Sequence, residues 1–134
     1  SFRSAEAYLI AAEAAAQNAA DNAAADDANL VEARTYLKAL MAKRYAAAKY
    51  NQYAAELDTM QKADLLKAIY NERTCELAFE GHRWFDLRRT TRPQLSKTYG
   101  ENSYVLEAND SRYTLRFPIE AVEANPNIEK WEGK

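Results

Sequence analysis

The sequence predicts a mainly α-helical protein, built from antiparallel helical hairpins and finished by a small β-hairpin near the C-terminus. Three observations carry that expectation. Alanine supplies roughly a fifth of the residues, while glycine and proline number only three each, a composition that favours helix. Apolar residues recur at three- and four-residue spacing over most of the chain up to Arg89, the period of a helix with one buried face. Beyond Pro93 the pattern changes to short alternating runs bounded by turn residues. At 134 residues, one domain over 1–134 with a modest core is expected.

Residues 2–20 form the first expected helix, with Ala5, Tyr8, Leu9, Ala12 and Ala16 on a face small enough for close approach of a partner. Asp21 to Asn29 read as a polar loop, and Asn29-Leu30-Val31-Glu32 has capping-box spacing. The second helix is expected over 29–48, turning Leu30, Ala33, Leu37, Leu40 and Arg44 inward. Residues 49–58 read as a partly helical connector, and Asp58-Thr59-Met60-Gln61 offers a second capping box. A third helix over 60–80 places Leu65, Leu66, Ile69 and Leu77 inside. Gly81 supplies the left-handed residue that ends it, and 82–90 is a further short helix. Thr90-Thr91-Arg92-Pro93 stops the helical part. Strands are expected at 103–107 and 112–117, joined through Asn109-Asp110-Ser111.

The stretch 72–89 organises the rest. Helical spacing puts Glu72, Glu76 and Glu80 in one row and Arg73 beside it, on the line of Ile69 and Leu77 that faces the core. A guanidinium there requires partners, because an unpaired buried charge is very costly. Arg73 and Arg83 are therefore expected to be buried and paired with carboxylates among Glu6, Glu13, Glu72, Glu76, Glu80 and Asp86. The acids before Gly81 and the arginines after it are placed to pair across the bend. Glu6 and Glu13 project to one side of the first helix, a pattern that a solvated charged face shares. Trp84 and Phe85 read as core.

These residues also carry a resemblance. Glu72-Arg73, Glu76-Leu77-Ala78-Phe79-Glu80-Gly81, Arg83-Trp84-Phe85-Asp86-Leu87 and Arg89 resemble the signature of the SusD/RagB family of outer-membrane glycan-binding lipoproteins. Arg3-Ser4-Ala5-Glu6-Ala7-Tyr8-Leu9 with Glu13-Ala14, the second helix from Ala33 to Ala46, and Phe117-Pro118-Ile119 with Val122 and Asn125-Pro126 extend the likeness. The last residues, Ile128 to Lys134, depart from the family's usual ending. The resemblance is to the C-terminal portion of members several times longer, and it makes Arg3, Glu6, Glu13, Glu72, Arg73, Glu76, Glu80, Gly81, Arg83, Trp84, Asp86 and Arg89 a structural signature. It implies tetratricopeptide-like hairpins and a non-catalytic role: oligosaccharide capture and delivery to a SusC-like TonB-dependent transporter. The full-length parent would be a cell-surface-facing outer-membrane lipoprotein, of which this chain is a soluble, scaffold-bearing fragment. In the family, glycan contacts come largely from regions outside the part this chain resembles.

Composition bounds the alternatives. A net charge of −2 and a pI near 5.5 give no reason to expect nucleic acid or anionic lipid as a partner. One cysteine forbids an internal disulfide and a cysteine-based zinc site; Cys75 shares a helix face with Ala68 and Phe79 and reads as a small buried thiol. No apolar run reaches the length of a bilayer span. The lone His82 reads as a helix-end residue and cannot complete a di-iron bundle site, which needs two Glu-x-x-His pairs. Arginines near Glu72, Glu76 and Glu80 keep carboxylates ionised, the wrong state for a glycosidase proton donor. No catalytic residue, metal ligand or cofactor is expected. Binding chemistry is better supplied, with nine tyrosines and two tryptophans whose amphipathic rings suit stacking on sugars. Tyr45, Tyr50, Tyr53, Tyr99, Tyr104 and Trp131 are the candidates, set against the alternative of ordinary packing. A competing function from another class is a helical-repeat scaffold that binds a protein or peptide without glycan specificity.

Overall fold

The structure, a computed structural model, describes residues 3–115 and 117–125. Among the described residues it contains six α-helices and one two-stranded antiparallel sheet, a mainly α fold with a small β-hairpin. The chain divides into two compact units, residues 1–80 and 81–134.

The first unit holds α1 (Ser4–Asn18), α2 (Ala28–Met41), α3 (Ala47–Thr59) and α4 (Lys62–Glu76). Helix α1 packs on α2 and α4 through the small face expected of it, with Ala5, Leu9, Ala12, Ala15 and Ala16 buried. Opposite them lie Leu30, Ala33, Leu37, Leu40 and Met41 of α2 and Leu65 and Ile69 of α4. Tyr8, expected on the inner face, is 42% exposed and meets the Tyr36 ring edge-on, with centroids 6.4 Å apart. Asp27, not Asn29, caps α2, accepting hydrogen bonds from the amides of Asn29 at 2.9 Å and Leu30 at 3.4 Å. Partners run in opposite senses along α1 and α4: Arg3 reaches Glu76 and Glu80, Glu6 meets Arg73, and Gln17 meets Lys62. The two helices are antiparallel.

Residues 49–58, expected as a partly helical connector, belong to a complete helix over Ala47–Thr59. Only Leu57 of α3 is fully buried; the rest of its inner face is Tyr50 and Tyr53, partly buried against the core, a stripe weaker than the aliphatic ones of α1 and α2. The four alanines of α3, Lys49, Gln52 and Glu56 are good helix formers, and Gln52 donates to Glu56 at 3.0 Å one turn on. Helix α4 ends at Glu76, a turn earlier than expected. Leu77 to Gly81 make a turn in which Phe79 (φ 63°) and Gly81 (φ 80°) are both left-handed. Glycine adopts that conformation freely, whereas phenylalanine is strained there, and the Phe79 side chain is fully exposed. Cys75 is exposed as well, not buried, because the core line of α4 runs through Leu65, Ile69 and Arg73.

The second unit begins with α5 (His82–Arg89), followed by β1 (Leu95–Tyr99), β2 (Asn102–Leu106), a 3-10 turn at Ser111–Tyr113 and α6 (Ile119–Ala124). The strand expected at 112–117 does not form among the described residues: 111–113 is the 3-10 turn, and β2 pairs instead with β1, a segment for which the sequence pattern predicts no strand. Two local causes decide this. Gly100 (φ 60°) and Glu101 make a two-residue turn with glycine at its first position, which suits a tight hairpin. Asp110 accepts from the Arg112 amide at 2.8 Å, an Asx contact that winds the chain into a turn. Tyr113 is the fully buried centre of this unit. Trp84 stacks on it, with centroids 5.1 Å and planes 13° apart, and its hydroxyl donates to the Pro93 carbonyl just ahead of β1. Trp84 is half-buried. Phe85, expected in the core, is 61% exposed, and Arg83, expected to be buried, is exposed. In this eight-residue helix only Leu87 is buried, and a guanidinium left at the surface keeps its hydration.

Candidate functional site

The signature residues of the first unit converge on one end of the helices. Glu76, with its side chain 8% exposed, accepts two hydrogen bonds from Arg44, at 2.8 and 2.7 Å, and lies 3.5 Å from Arg3. Arg3 also pairs with Glu80. Arg73, buried as expected, meets Glu6 at 3.5 Å. Tyr45 donates to Glu72 at 2.8 Å, and Tyr70 donates to Glu13 at 3.2 Å further along α1. Arg44, expected as an inward residue of the second helix, lies beyond the end of α2 and reaches Glu76 from there. The bidentate bond from Arg44 is the main reason that the Glu76 carboxyl is held below its usual pKa, and Arg3 adds to it. Burial, then the bond to Glu72, pushes the Tyr45 phenol up to about 12.

The opposite end is built differently. Arg34, 4% exposed, donates to the carbonyls of Leu57 at 2.7 Å, Ala25 and Met60. It thereby satisfies groups that the end of α3 leaves open. Lys62 does the same for α1, donating to Gln17 at 3.2 Å, Ala19 at 2.7 Å and the Asp21 carboxylate at 2.8 Å. Sequence reasoning missed Arg34. Its signal was positional: it continues the buried line Leu30, Leu37, Met41 at helical spacing.

Gly81, Arg83, Trp84, Asp86 and Arg89 belong to the second unit. There Asp86 pairs with Arg89 at 3.0 Å, and Asp110 pairs with Arg112 at 2.7 Å. The hydrogen bonds from the Arg112 side chain and amide lower the Asp110 pKa to about 2.

The tyrosine candidates separate. Tyr45, Tyr50 and Tyr53 pack against the core of the first unit. The Tyr45 and Tyr53 rings meet edge-on with centroids 5.6 Å apart, and the Lys49 ammonium covers Tyr53 at 4.5 Å. Tyr99 and Tyr104 are 78% and 58% exposed, on the hairpin. Trp131 lies outside the described residues.

Arginines and phenols occupy the carboxylates gathered at the end of the first unit. Such pairs fix helix ends. Among the described residues, no three of His, Cys, Asp and Glu are grouped to hold a metal ion, and no helix is long and apolar enough to cross a membrane. The class these features define is a helical scaffold pinned by ion pairs. The sequence model of the SusD family matches residues 1–131, and the chain belongs to that family. At family level this is a glycan-binding role in nutrient uptake, generally without catalysis, in proteins that are typically outer-membrane lipoproteins. Among curated proteins, none matches the chain.

Proposed function

We propose that the protein to which this chain belongs captures oligosaccharides at the outer face of the outer membrane and delivers them, unaltered, to a SusC-like TonB-dependent transporter. The observation that carries this reading is the family match over residues 1–131. The occupied carboxylates support it, since Glu76 is held ionised between two arginines and is a poor proton donor. In this reading the first unit is the rigid frame that holds binding surfaces in place.

The experiment is an uptake assay with the whole protein in its own cells, paired with purification of its outer-membrane complex. The expected result is that deletion abolishes growth on a particular oligosaccharide and that a TonB-dependent transporter co-purifies. Unchanged growth on every oligosaccharide, with a soluble protein or peptide as the recovered partner, would establish the protein-binding scaffold instead.

A further inference from the structure

We propose that the face of the β-hairpin carrying Tyr99, Lys97 and Tyr104 binds an acidic oligosaccharide, with a uronate carboxylate at the lysine and sugar rings on the tyrosines. This rests on the glycan-binding reading above and names a surface and a substrate class for it. The register pairs Lys97 with Tyr104 and Tyr99 with Asn102. Side chains alternate across a strand, so Leu95, Lys97 and Tyr99 share one face with Asn102, Tyr104 and Leu106. Tyr99 and Tyr104 are diagonal neighbours, about 7–8 Å apart by strand geometry. Two flat rings with polar edges therefore stand side by side on the surface, flanked by an amide and an ammonium. Apolar ring faces match the C–H faces of a pyranose, and the polar groups match its hydroxyls.

Charge selects among sugars. Lys97 is the only basic residue in the two strands, and among the described residues no carboxylate pairs with it. Elsewhere in the molecule the cations named above are occupied: Arg3, Arg44 and Arg73 by glutamates, Arg34 and Lys62 by carbonyls. The second unit is also the less acidic one. Residues 81–134 carry nine Lys and Arg against eight Asp and Glu, whereas residues 1–80 carry nine against twelve. An anionic ligand meets less repulsion at the hairpin unit than at the helical one. The other tyrosine candidates offer no comparable face, because Tyr45, Tyr50 and Tyr53 pack against the core.

The test is an amide chemical-shift titration of the full chain with an oligogalacturonate and, separately, with a cello-oligosaccharide of the same length. Saturable shifts confined to Leu95–Leu106 are expected in the millimolar range that a shallow surface gives. The acidic ligand should bind about three- to fivefold more tightly than the neutral one, the range of an exposed ion pair, and added salt should erase the difference. Lys97→Gln should remove the preference. The double change Tyr99→Ala and Tyr104→Ala should abolish the shifts, while the corresponding double change to Phe retains them. The hairpin's own amide spectrum reports whether each variant still folds. Equal affinity for both ligands, shifts elsewhere on the chain, or no shifts at all would overturn the proposal. None of these bears on the uptake reading, which stands or falls on the whole-protein growth assay.

Discussion

The two ends of the helical unit solve one problem with different chemistry. At one end, Arg34 and Lys62 are held by backbone carbonyls where α3 and α1 stop. At the other, Arg3, Arg44 and Arg73 are held by the carboxylates of Glu76, Glu80 and Glu6. Carbonyls do not titrate, so the hold on Arg34 depends little on pH, and so does that on Lys62 apart from its bond to the exposed Asp21 carboxylate. Carboxylates do titrate, so the other end is sensitive to acid. The difference teaches that counting ion pairs understates how a helical protein anchors its cations. Two of these five cations are held mainly by groups that every residue carries.

The comparison breaks most visibly at Arg34. Arg34→Met removes the donor that Ala25 and Met60 share and leaves Leu57 with the Met60 amide alone, and a loss of about 3–4 kcal/mol is expected, read as a urea midpoint and nearly the same in acid and at neutral pH. Arg73→Met should cost about 3 kcal/mol, because Glu6 is left partly buried without its cation. Adding Glu6→Gln should recover part of that loss, and a double-mutant cycle showing strict additivity would deny the pairing. Glu76→Gln comes next, at about 1–2 kcal/mol at neutral pH. The folded-state pKa of Glu76 lies below the ordinary 4.5. Its contribution is therefore complete above about pH 4.5 and disappears as pH falls through the lower, folded value. The variant should differ from the parent at neutral pH and converge on it in acid; a difference independent of pH would mean that the bonds to Arg44 and Arg3 do not govern Glu76. The smallest effect belongs to Tyr45→Phe, about 1 kcal/mol at neutral pH. Its phenol is raised from 10 to about 12, so its contribution is intact below pH 10 and is lost as pH climbs toward 12. Removing the hydroxyl should remove that share of the alkaline loss, seen in midpoints taken across this range.

What the sequence revealed follows the same division. Arg73 is legible because it continues the line of Ile69 and Leu77 and because its partner, Glu6 on α1, is an acidic letter. Arg34 is not, since carbonyls of Leu57, Ala25 and Met60 have no letter of their own. Helix α3 is only partly legible because its inner face is Tyr50, Tyr53 and Leu57, with Leu57 alone fully buried, and tyrosines in a polar stretch read equally as surface residues. The sequence pattern sets the hairpin one segment too late. Arg112 to Phe117 alternate well, but Asp110 binds the Arg112 amide and winds the chain, while the modest run Leu95–Tyr99 gains its strand from the Gly100 turn. Of the ring candidates, composition alone could not distinguish Tyr53, packed under Lys49, from Tyr99, which is open to solvent.

The exposure of Cys75 has a practical consequence. It is the only thiol in the chain, accessible from solvent, and it sits one residue before Glu76 on α4. A maleimide dye or nitroxide would attach there at a single site, with no cysteine to engineer away. Such a label would report the loosening of the acid-sensitive end directly, as a change in emission or spin mobility during a pH titration. The carbonyl-held end, remote along α4, would stay silent in the same signal.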